Sequence, residues 1–105
     1  MTSFDDRERA FESKFAHDAE MQFKAEARRN KLVGLWAAGL MGLSGDEAEA
    51  YARSVVMADF EEAGHEDVVR KVAADLAGRA TPDEIRARMV ALLPVAQAQL
   101  MNEAG

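Results

Sequence analysis

Two histidines and their neighbouring glutamates are the first residues whose spacing could bind a metal. Di-iron sites in helical bundles use a Glu-x-x-His motif on each of two helices, together with further carboxylates. Glu62 and His65 have this spacing once, while His17 and Glu20 have it in the reverse order. Gly64 is expected to end the helix that would carry Glu62 and His65. The pattern therefore favours solvated or capping histidines, and no metal site is expected.

The residues that could act as nucleophiles or general acids do not form a catalytic pattern. The chain has no cysteine, and its few serines are expected to cap helices or to lie on polar helix faces. Its closely spaced glycines, at 39, 42 and 45, lack the following lysine of a phosphate loop. Carboxylates that are adjacent in sequence, such as Asp5 and Asp6, point in different directions on a helix. We therefore expect a protein that is not an enzyme.

The stretch KAEARRNK is the basic cluster of the sequence. Its cations could contact an acidic partner or the phosphates of a nucleotide. A solvated helix face explains the same pattern, and the sequence favours this simpler interpretation. The candidate contact residues are Lys24, Arg28, Arg29 and Lys31.

Three phenylalanines occur close to the N-terminus, in the stretch FDDRERAFESKFAH. On a helical wheel Phe4, Phe11 and Phe15 fall within an arc of about 40°. The apolar row that follows them defines a face offset by about 70°. Two interpretations remain open: a docking helix whose phenylalanines bind a groove on a partner, or a first helix that folds back on the bundle. The row that defines the second face is Met21, Ala25, Leu32, Trp36 and Leu43.

The composition predicts one small helical domain. With 105 residues, of which 49% are hydrophobic and 30% charged, the chain can bury a core and stay in solution. The longest uncharged runs, residues 32–45 and 89–102, have 14 residues each, short of the roughly 20 that cross a bilayer. A net charge of −6 argues against nucleic acid as a partner. The lack of cysteine and of an apolar N-terminal stretch predicts a cytoplasmic location.

Glycines and capping residues divide the chain into helices. Glycines at 42, 64 and 78 are predicted to end helices, and capping boxes at 44–47 and 81–84 to begin them. Between these points apolar residues recur every three or four positions, which is typical of amphipathic helices. The predicted core positions are Ala48, Ala52, Val55, Val56, Phe60, Val68, Val69, Val72, Leu76, Ile85, Met89, Leu92, Ala96 and Leu100.

This division predicts an all-α protein in two parts. Residues 19–105 form a small four-helix bundle, and residues 1–18 form a separate, extended helical segment, for which docking on a partner and folding back on the bundle both stay open. Pro94 is expected to kink or break the last helix, because it lacks the N–H that the interior of a helix needs. Trp36 is expected in the core, whereas Tyr51 packs its ring and exposes its hydroxyl.

Four stretches of the sequence, FDDRERAFESKFAHD, FKAEARRNKLVGLWAA, DFEEAG and EDVVRKV, are similar to those of one known family. The chain resembles, over essentially its whole length, the zeta subunit, the ATPase inhibitor of alphaproteobacterial F-type ATP synthases. The resemblance implies a four-helix bundle with a mobile N-terminal region. That region is implied to enter a catalytic interface between an α and a β subunit of the synthase head, near the central rotor, as a helix. Hydrolytic rotation would be blocked, while synthesis would continue.

The resemblance also implies a set of docking residues in the N-terminal segment. No cofactor is implied beyond weak binding of adenine nucleotide, which the sequence does not place. The alternative function is a small helical regulatory module that binds nucleotide weakly through residues 24–31. We expect a protein that is monomeric when free and peripheral to the membrane-bound synthase, with no insertion into the membrane. The docking residues carried over by position are Phe4, Asp5, Asp6, Arg7, Phe11, Lys14, Phe15 and His17.

Overall fold

The computed structural model describes residues 19–61 and 65–104, apart from the side chains of Phe60, Glu61 and Ala104. Within this part the protein is all-α, and no described residue forms a strand. The predicted four-helix bundle is confirmed. The helices are α1 Ala19–Leu40, α2 Gly45–Glu61, α3 Glu66–Leu76 and α4 Pro82–Ala104. The predicted segment 1–18 and the predicted stop at Gly64 lie outside the described residues.

Helix α1 is the centre of the bundle, because it packs against the three other helices and most extensively against α2 and α4. Contacts of Trp36 with Arg88 and of Arg28 with Glu103 show that α1 and α4 are antiparallel. The predicted core rows of α2, α3 and α4 are confirmed at most of the described positions, whereas Val56, Leu92 and Leu100 are only half-buried. Buried residues of these rows are Ala48, Ala52, Val55, Val68, Val69, Val72, Leu76, Ile85, Met89 and Ala96.

The ends of the helices follow the sequence at two predicted points and differ at a third. Gly42, with φ of 77°, ends α1: the amide of Leu43 donates to Ala38 O at 2.9 Å. The amide of Glu84 donates to Thr81 Oγ1 at 3.1 Å, so the second capping box is confirmed. The box predicted at residues 44–47 is wrong. Gly45 has φ of 57° there, and no side-chain bond joins this described pair, Ser44 and Glu47.

Helix α4 continues through Pro94 to Ala104, so the predicted break is wrong. Proline removes the N–H that would donate to the carbonyl of residue 90. Val90 is 75% exposed, and water can therefore serve this carbonyl. One missing bond at the surface is too small a loss to end a helix whose other face is buried.

The buried face of α1 differs from the predicted one. It is centred about 110° round the helix from Ala25, whereas the predicted row was centred close to Ala25. Leu32 and Trp36 are only half-buried. Small residues occupy the buried face because α1 and α2 approach closely at Gly34, where a Cβ would lie 2.6 Å from Ala52 Cα. The buried residues of α1 are Ala25, Arg29, Asn30, Val33, Gly34, Ala37 and Ala38.

This difference removes one argument about the N-terminal phenylalanines. When the period of α1 is projected back along the sequence, Phe4, Phe11 and Phe15 fall about 60° from Ala25. That direction lies inside the arc that α1 buries, so the row from which the offset was measured is not the buried face, while the phenylalanines themselves lie outside the described residues. A docking role for these residues therefore needs support from elsewhere.

Helix α3 ends at a residue whose backbone conformation favours glycine. Ala77 follows α3 with φ of 51°, a left-handed conformation in which a Cβ is unfavourable. We expect Ala77→Gly to raise the free energy of unfolding by about 1 kcal/mol, because glycine adopts this conformation without steric cost. Urea denaturation measures the change. Ala74→Gly is the control, since Ala74 is exposed within α3, where glycine should cost about 1 kcal/mol. A loss of stability in both variants would contradict the prediction.

A polar cluster joins α2 to α3. Tyr51 donates its hydroxyl to Asp75 Oδ2 at 2.9 Å, and Lys71 Nζ donates to the same oxygen at 3.0 Å. The Lys71 ammonium also lies 5.4 Å from the centre of the Tyr51 ring. The ring is half-buried and its hydroxyl binds a neighbour, so the predicted packing of the ring is confirmed.

Burial, followed by the hydrogen bond to Asp75, raises the pKa of Tyr51 above the usual phenol range. The folded-state pKa exceeds the unfolded one, so the stability this phenol contributes is complete below about pH 10 and is lost as the pH rises further. Tyr51 is the single tyrosine of the chain, which makes its ultraviolet titration direct. We expect phenolate absorbance near pH 10 in the urea-unfolded protein and only at higher pH in the folded one. Equal midpoints would contradict this, and Tyr51→Phe supplies the blank.

Candidate functional site

The sequence-predicted docking residues cannot be followed into the structure. Phe4, Asp5, Asp6, Arg7, Phe11, Lys14, Phe15 and His17 all lie in residues 1–18, outside the described part. The four candidate basic residues lie on α1 and are described.

The four basic residues of α1 do not share one face. Residues 24, 28 and 31 are spaced by four and three, which brings them to one side of the helix. Arg29 projects about 100° away from Arg28, towards the bundle. Lys24, Arg28 and Lys31 line one cleft, together with Phe23 of the same helix and with residues of α2 and α4. Arg29, in contrast, is only 5% exposed. The predicted solvated face thus holds for three of the residues and is wrong for Arg29.

Each cation of this cleft, called here the basic cleft, already has a carboxylate beside it. Lys24 Nζ lies 3.2 Å from Glu20 Oε1, and Lys31 Nζ lies 3.9 Å from Glu49 Oε2. Arg28 reaches across to α4, with Nη1 2.8 Å from Glu103 Oε1. The hydrogen bond from Arg28 holds the pKa of Glu103 below its usual value. The cleft, of about 560 Å³, therefore combines cations with nearby anions.

Arg29, which is itself buried, is the centre of a partly exposed polar cluster, called here the Arg29 cluster. Its Nε and Nη2 donate to Asn30 Oδ1 at 3.1 and 3.0 Å, and Nη2 also donates to His65 Nδ1 at 3.0 Å. His65 lies 3.8 Å from Glu26 and 3.7 Å from Asp59. Burial lowers the pKa of Arg29, and the charges of Glu26 and Asp59 oppose this effect. The cluster joins α1, the end of α2 and the start of α3.

His65 has a structural role in this cluster. It occupies the N-cap position of α3, but its side chain makes no capping hydrogen bond. Because Nδ1 accepts from Arg29, the hydrogen of the neutral imidazole is on Nε2. Its side chain is 45% exposed, so the predicted solvated histidine is confirmed, whereas the hydrogen bond with Arg29 was not predicted. Sequence analysis missed the role of Arg29, although its spacing of four from both Ala25 and Val33 places it on the buried row.

A groove between α3 and α4, called here the α3–α4 groove, was not predicted. It has a volume of about 270 Å³ and a mostly apolar surface. The salt bridge between Glu66 and Arg86 crosses its rim, with Arg86 Nη2 2.7 Å from Glu66 Oε1. The hydrogen bond from Arg86 lowers the pKa of Glu66. The lining residues are Arg29, His65, Glu66, Val69, Arg86, Met89, Val90 and Leu93.

Metal binding and membrane insertion find no support in the described residues. Among residues 19–61 and 65–104, no group of His, Asp and Glu could hold a metal ion. His17 and Glu62, each half of a spacing considered in the sequence, lie outside these ranges. No helix in the described part of the chain is long and apolar enough to cross a membrane.

The bundle, the basic cleft and the α3–α4 groove define, in the described part of the chain, a small all-α protein with clefts between its helices. The family model of ATPase inhibitor subunit zeta matches residues 1–99, and the chain belongs to this family. A structure solved by solution NMR is similar, with 66% identity and a TM-score of 0.74, and covers 79% of this chain and 98% of its own. A comparison with curated proteins gave no match. Membership assigns the protein an ATPase-inhibitory, regulatory role and implies an ATP synthase as its partner.

Proposed function

We propose that the protein inhibits ATP hydrolysis by the F-type ATP synthase by docking residues 1–18 at a catalytic interface between an α and a β subunit of the head. The segment docks as a helix near the central rotor and blocks hydrolytic rotation. The observation that supports this is the family match over residues 1–99, since it includes the N-terminal stretch. Residues 19–105 form the second domain, which carries the docking segment.

The chemistry of the segment suits this role. Phenylalanine buries a large area with few rotatable bonds, and such anchors dominate binding energy at interfaces. Charged residues surround each phenylalanine, as expected of a helix that lies in a groove with a polar rim. The docking residues proposed here are Phe4, Asp5, Asp6, Arg7, Phe11, Lys14, Phe15 and His17.

The test measures ATP hydrolysis by synthase heads with increasing amounts of protein. We expect Phe15→Ala to weaken inhibition about 30-fold, since a lost interface anchor costs about 2 kcal/mol. Phe23→Ala is the matched control, because Phe23 lies on α1, outside residues 1–18. If Phe15→Ala inhibits as well as the unmodified protein, or if a chain without residues 1–18 does, docking through this segment is refuted.

The free protein, on this proposal, is a cytoplasmic monomer that works at the periphery of the membrane-bound synthase. Sedimentation of the purified chain, alone and with synthase heads, measures both states. A stable dimer of the free protein would contradict the monomer, and failure to co-sediment with the heads would contradict the partner.

A second candidate function is weak binding of adenine nucleotide at the basic cleft. The observation that favours it is the placement of Lys24, Arg28 and Lys31 round one cleft beside the ring of Phe23. The carboxylates of Glu20 and Glu103 oppose it, because a phosphate must displace them. Titration with ATP, followed through amide shifts, tests it. We expect shifts in residues 24–31 that Arg28→Ala abolishes and Arg79→Ala leaves; equal shifts in both variants would place the site elsewhere.

A further inference from the structure

Helices α1 and α4 share an outer surface that is largely apolar, called here the Trp36 surface. On α1, Leu35 and Trp36 follow Leu32 by three and four residues, and all three are only half-buried. On α4, Ala91 is exposed and Val95 is 44% exposed. Exposed apolar residues that are grouped in this way mark a binding surface, whereas single ones need no explanation. The residues of the Trp36 surface are Leu32, Leu35, Trp36, Arg88, Ala91 and Val95.

Two contacts between the helices show that these residues face the same way. Arg88 lies over the Trp36 ring, with its guanidinium carbon 5.0 Å from the ring centre, and Arg28 Nη1 donates to Gln99 Oε1 at 3.0 Å. The part of α1 between these contacts holds the two leucines, and the part of α4 between them holds Val95. Spacings of three and four residues put all of them on the side of the contacts.

A cleft beside the Trp36 ring gives this surface depth. It has a volume of about 420 Å³, and the small side chains of Ala87 and Ala91 line it together with the ring. A volume of this size is within the range of ligand sites in proteins. The cleft can therefore take one or two apolar side chains of a partner.

Arg88 gives the surface a positive charge that no carboxylate in the described part of the chain neutralises. The ion pairs of α4 involve Arg86 and Glu103, while Glu84, one turn before Arg88, accepts from the capping residue of the helix. The Trp36 ring already holds the guanidinium in place, which lowers the cost of fixing it on binding. Tryptophan and arginine are also enriched among the residues that dominate binding energy. The surface therefore suits a protein segment with an apolar side chain beside a carboxylate.

The ATP synthase is the partner that the family membership of the chain implies. Residues 1–18 join α1 at Ala19, and Leu32 lies thirteen residues further on, about 20 Å along the helix. Once the segment is docked, the Trp36 surface is held near the synthase head, so its effective concentration there is high. A contact that is too weak to form alone can therefore add to the affinity.

We propose that the Trp36 surface is a second contact of the bundle with the synthase head, where it binds a segment that presents an apolar residue beside a carboxylate. The apolar side chain enters the cleft at Trp36, and the carboxylate pairs with Arg88. The proposal rests on the proposed function for its partner, but it does not require that residues 1–18 block rotation.

Thiol protection in the full chain tests which side of the bundle faces the head. Val95→Cys and Met57→Cys each introduce a unique thiol, because the chain has no cysteine. Met57, on α2, is 60% exposed and lies outside the Trp36 surface, which makes it the control. With saturating heads, maleimide should modify Val95→Cys about tenfold more slowly than in the free chain, because the thiol is covered. Met57→Cys should react at an unchanged rate, and mass spectrometry of the chain measures both.

Two outcomes of the thiol experiment would overturn the proposal. One is an equal rate for Val95→Cys with and without heads, or equal protection of Val95→Cys and Met57→Cys. The other is a rate for Val95→Cys in the free chain that falls as the protein concentration rises, which would assign the surface to a second copy.

Two matched pairs of variants test the contribution of the surface to binding, measured by co-sedimentation with synthase heads. Arg88→Gln should weaken binding about tenfold, whereas Arg53→Gln, at an exposed residue of α2, should leave it unchanged. Val95→Asp should also weaken binding. Val90→Asp should not, because Val90 is exposed about 140° away round α4. Unchanged binding in both Arg88→Gln and Val95→Asp would refute the contact.

The same measurements distinguish this contact from docking of residues 1–18. Protection of Val95→Cys, together with undiminished inhibition by Phe15→Ala, would support the contact and refute docking through the segment. Loss of inhibition in Phe15→Ala without protection of Val95→Cys would support docking and refute the contact.

Discussion

Replacement of Arg29 by alanine lowers the free energy of unfolding by about 3 kcal/mol, as expected when the buried member of an ionic cluster is removed. Arg29 is 5% exposed, and its Nε and Nη2 both donate to Asn30, which is fully buried. Without it, Asn30 Oδ1 and His65 Nδ1 lose their donors. Glu26 and Asp59 lose a nearby positive charge at the same time. Denaturation in urea, followed by the circular dichroism of the helices, measures the loss.

The neighbouring residue supplies the control for this experiment. Arg28 has the same side chain and bonds Gln99 and Glu103, but its side chain is 25% exposed. Arg28→Ala should cost about 0.5 kcal/mol, as exposed ion pairs do. Arg29→Lys should recover less than half of the stability, because an ammonium lacks the planar pair of donors that Asn30 accepts. Similar losses in Arg28→Ala and Arg29→Ala would show that the Arg29 cluster contributes little.

Alanine at position 34 destabilises the protein by about 2 kcal/mol, the opposite of the usual effect of this change in a helix. A Cβ at Gly34 would lie 2.6 Å from Ala52 Cα and 3.2 Å from Ala52 Cβ. The first atom belongs to the backbone of α2 and cannot rotate away. Helices α1 and α2 must therefore separate locally, which loosens the packing of Val55 between them. Thermal and urea denaturation both measure the effect.

Gly39 gives the matched control on the same helix. A Cβ there would meet no atom within 4 Å. Gly39→Ala should therefore raise the free energy of unfolding by about 0.5–1 kcal/mol, the ordinary gain in helix propensity. A gain of similar size in Gly34→Ala would mean that the close approach of α1 and α2 is not required for stability.

The helices α2, α3 and α4 could be predicted because their core rows contain aliphatic residues at regular spacing. Val68, Val69, Val72 and Leu76 are all buried, as their pattern indicates. Such rows identify a helix and its inner face together, because apolar surface and helical period agree. The ends of the helices could be predicted where one glycine or one capping pair decides the local backbone, as at Gly42 and Thr81.

The inner face of α1 could not be predicted in this way. Leu32 and Trp36 are its most apolar residues, and a wheel weighted by hydrophobicity turns them inward. The structure instead turns Gly34, Ala37 and Ala38 towards the bundle, because close approach of the helices buries more contacts than large side chains would at a distance. Shape complementarity depends on both helices, so the inner face of α1 cannot be predicted from the sequence of α1 alone.

The Arg29 cluster and the α3–α4 groove escaped prediction for a related reason. Arg29 can be buried because His65, 36 positions later, accepts from it at 3.0 Å. A charged residue in a basic stretch gives no local indication of a partner so far along the chain. The groove likewise combines residues of α1, α3 and α4, and it exists only once these helices are packed.

The central position of α1 has a mechanical consequence. A tension on residues 1–18 enters the bundle at the first turn of α1, to which they are directly joined. Pulled along its axis, α1 would slide against α2 and the antiparallel α4, so that their contacts are strained in shear together. Contacts loaded in parallel share the force, whereas contacts that peel apart break one after another. The bundle should therefore resist a pull on residues 1–18 through the contacts of α1 with α2 and α4. The shortest helix, α3, should bear the least of this force, because it packs least against α1.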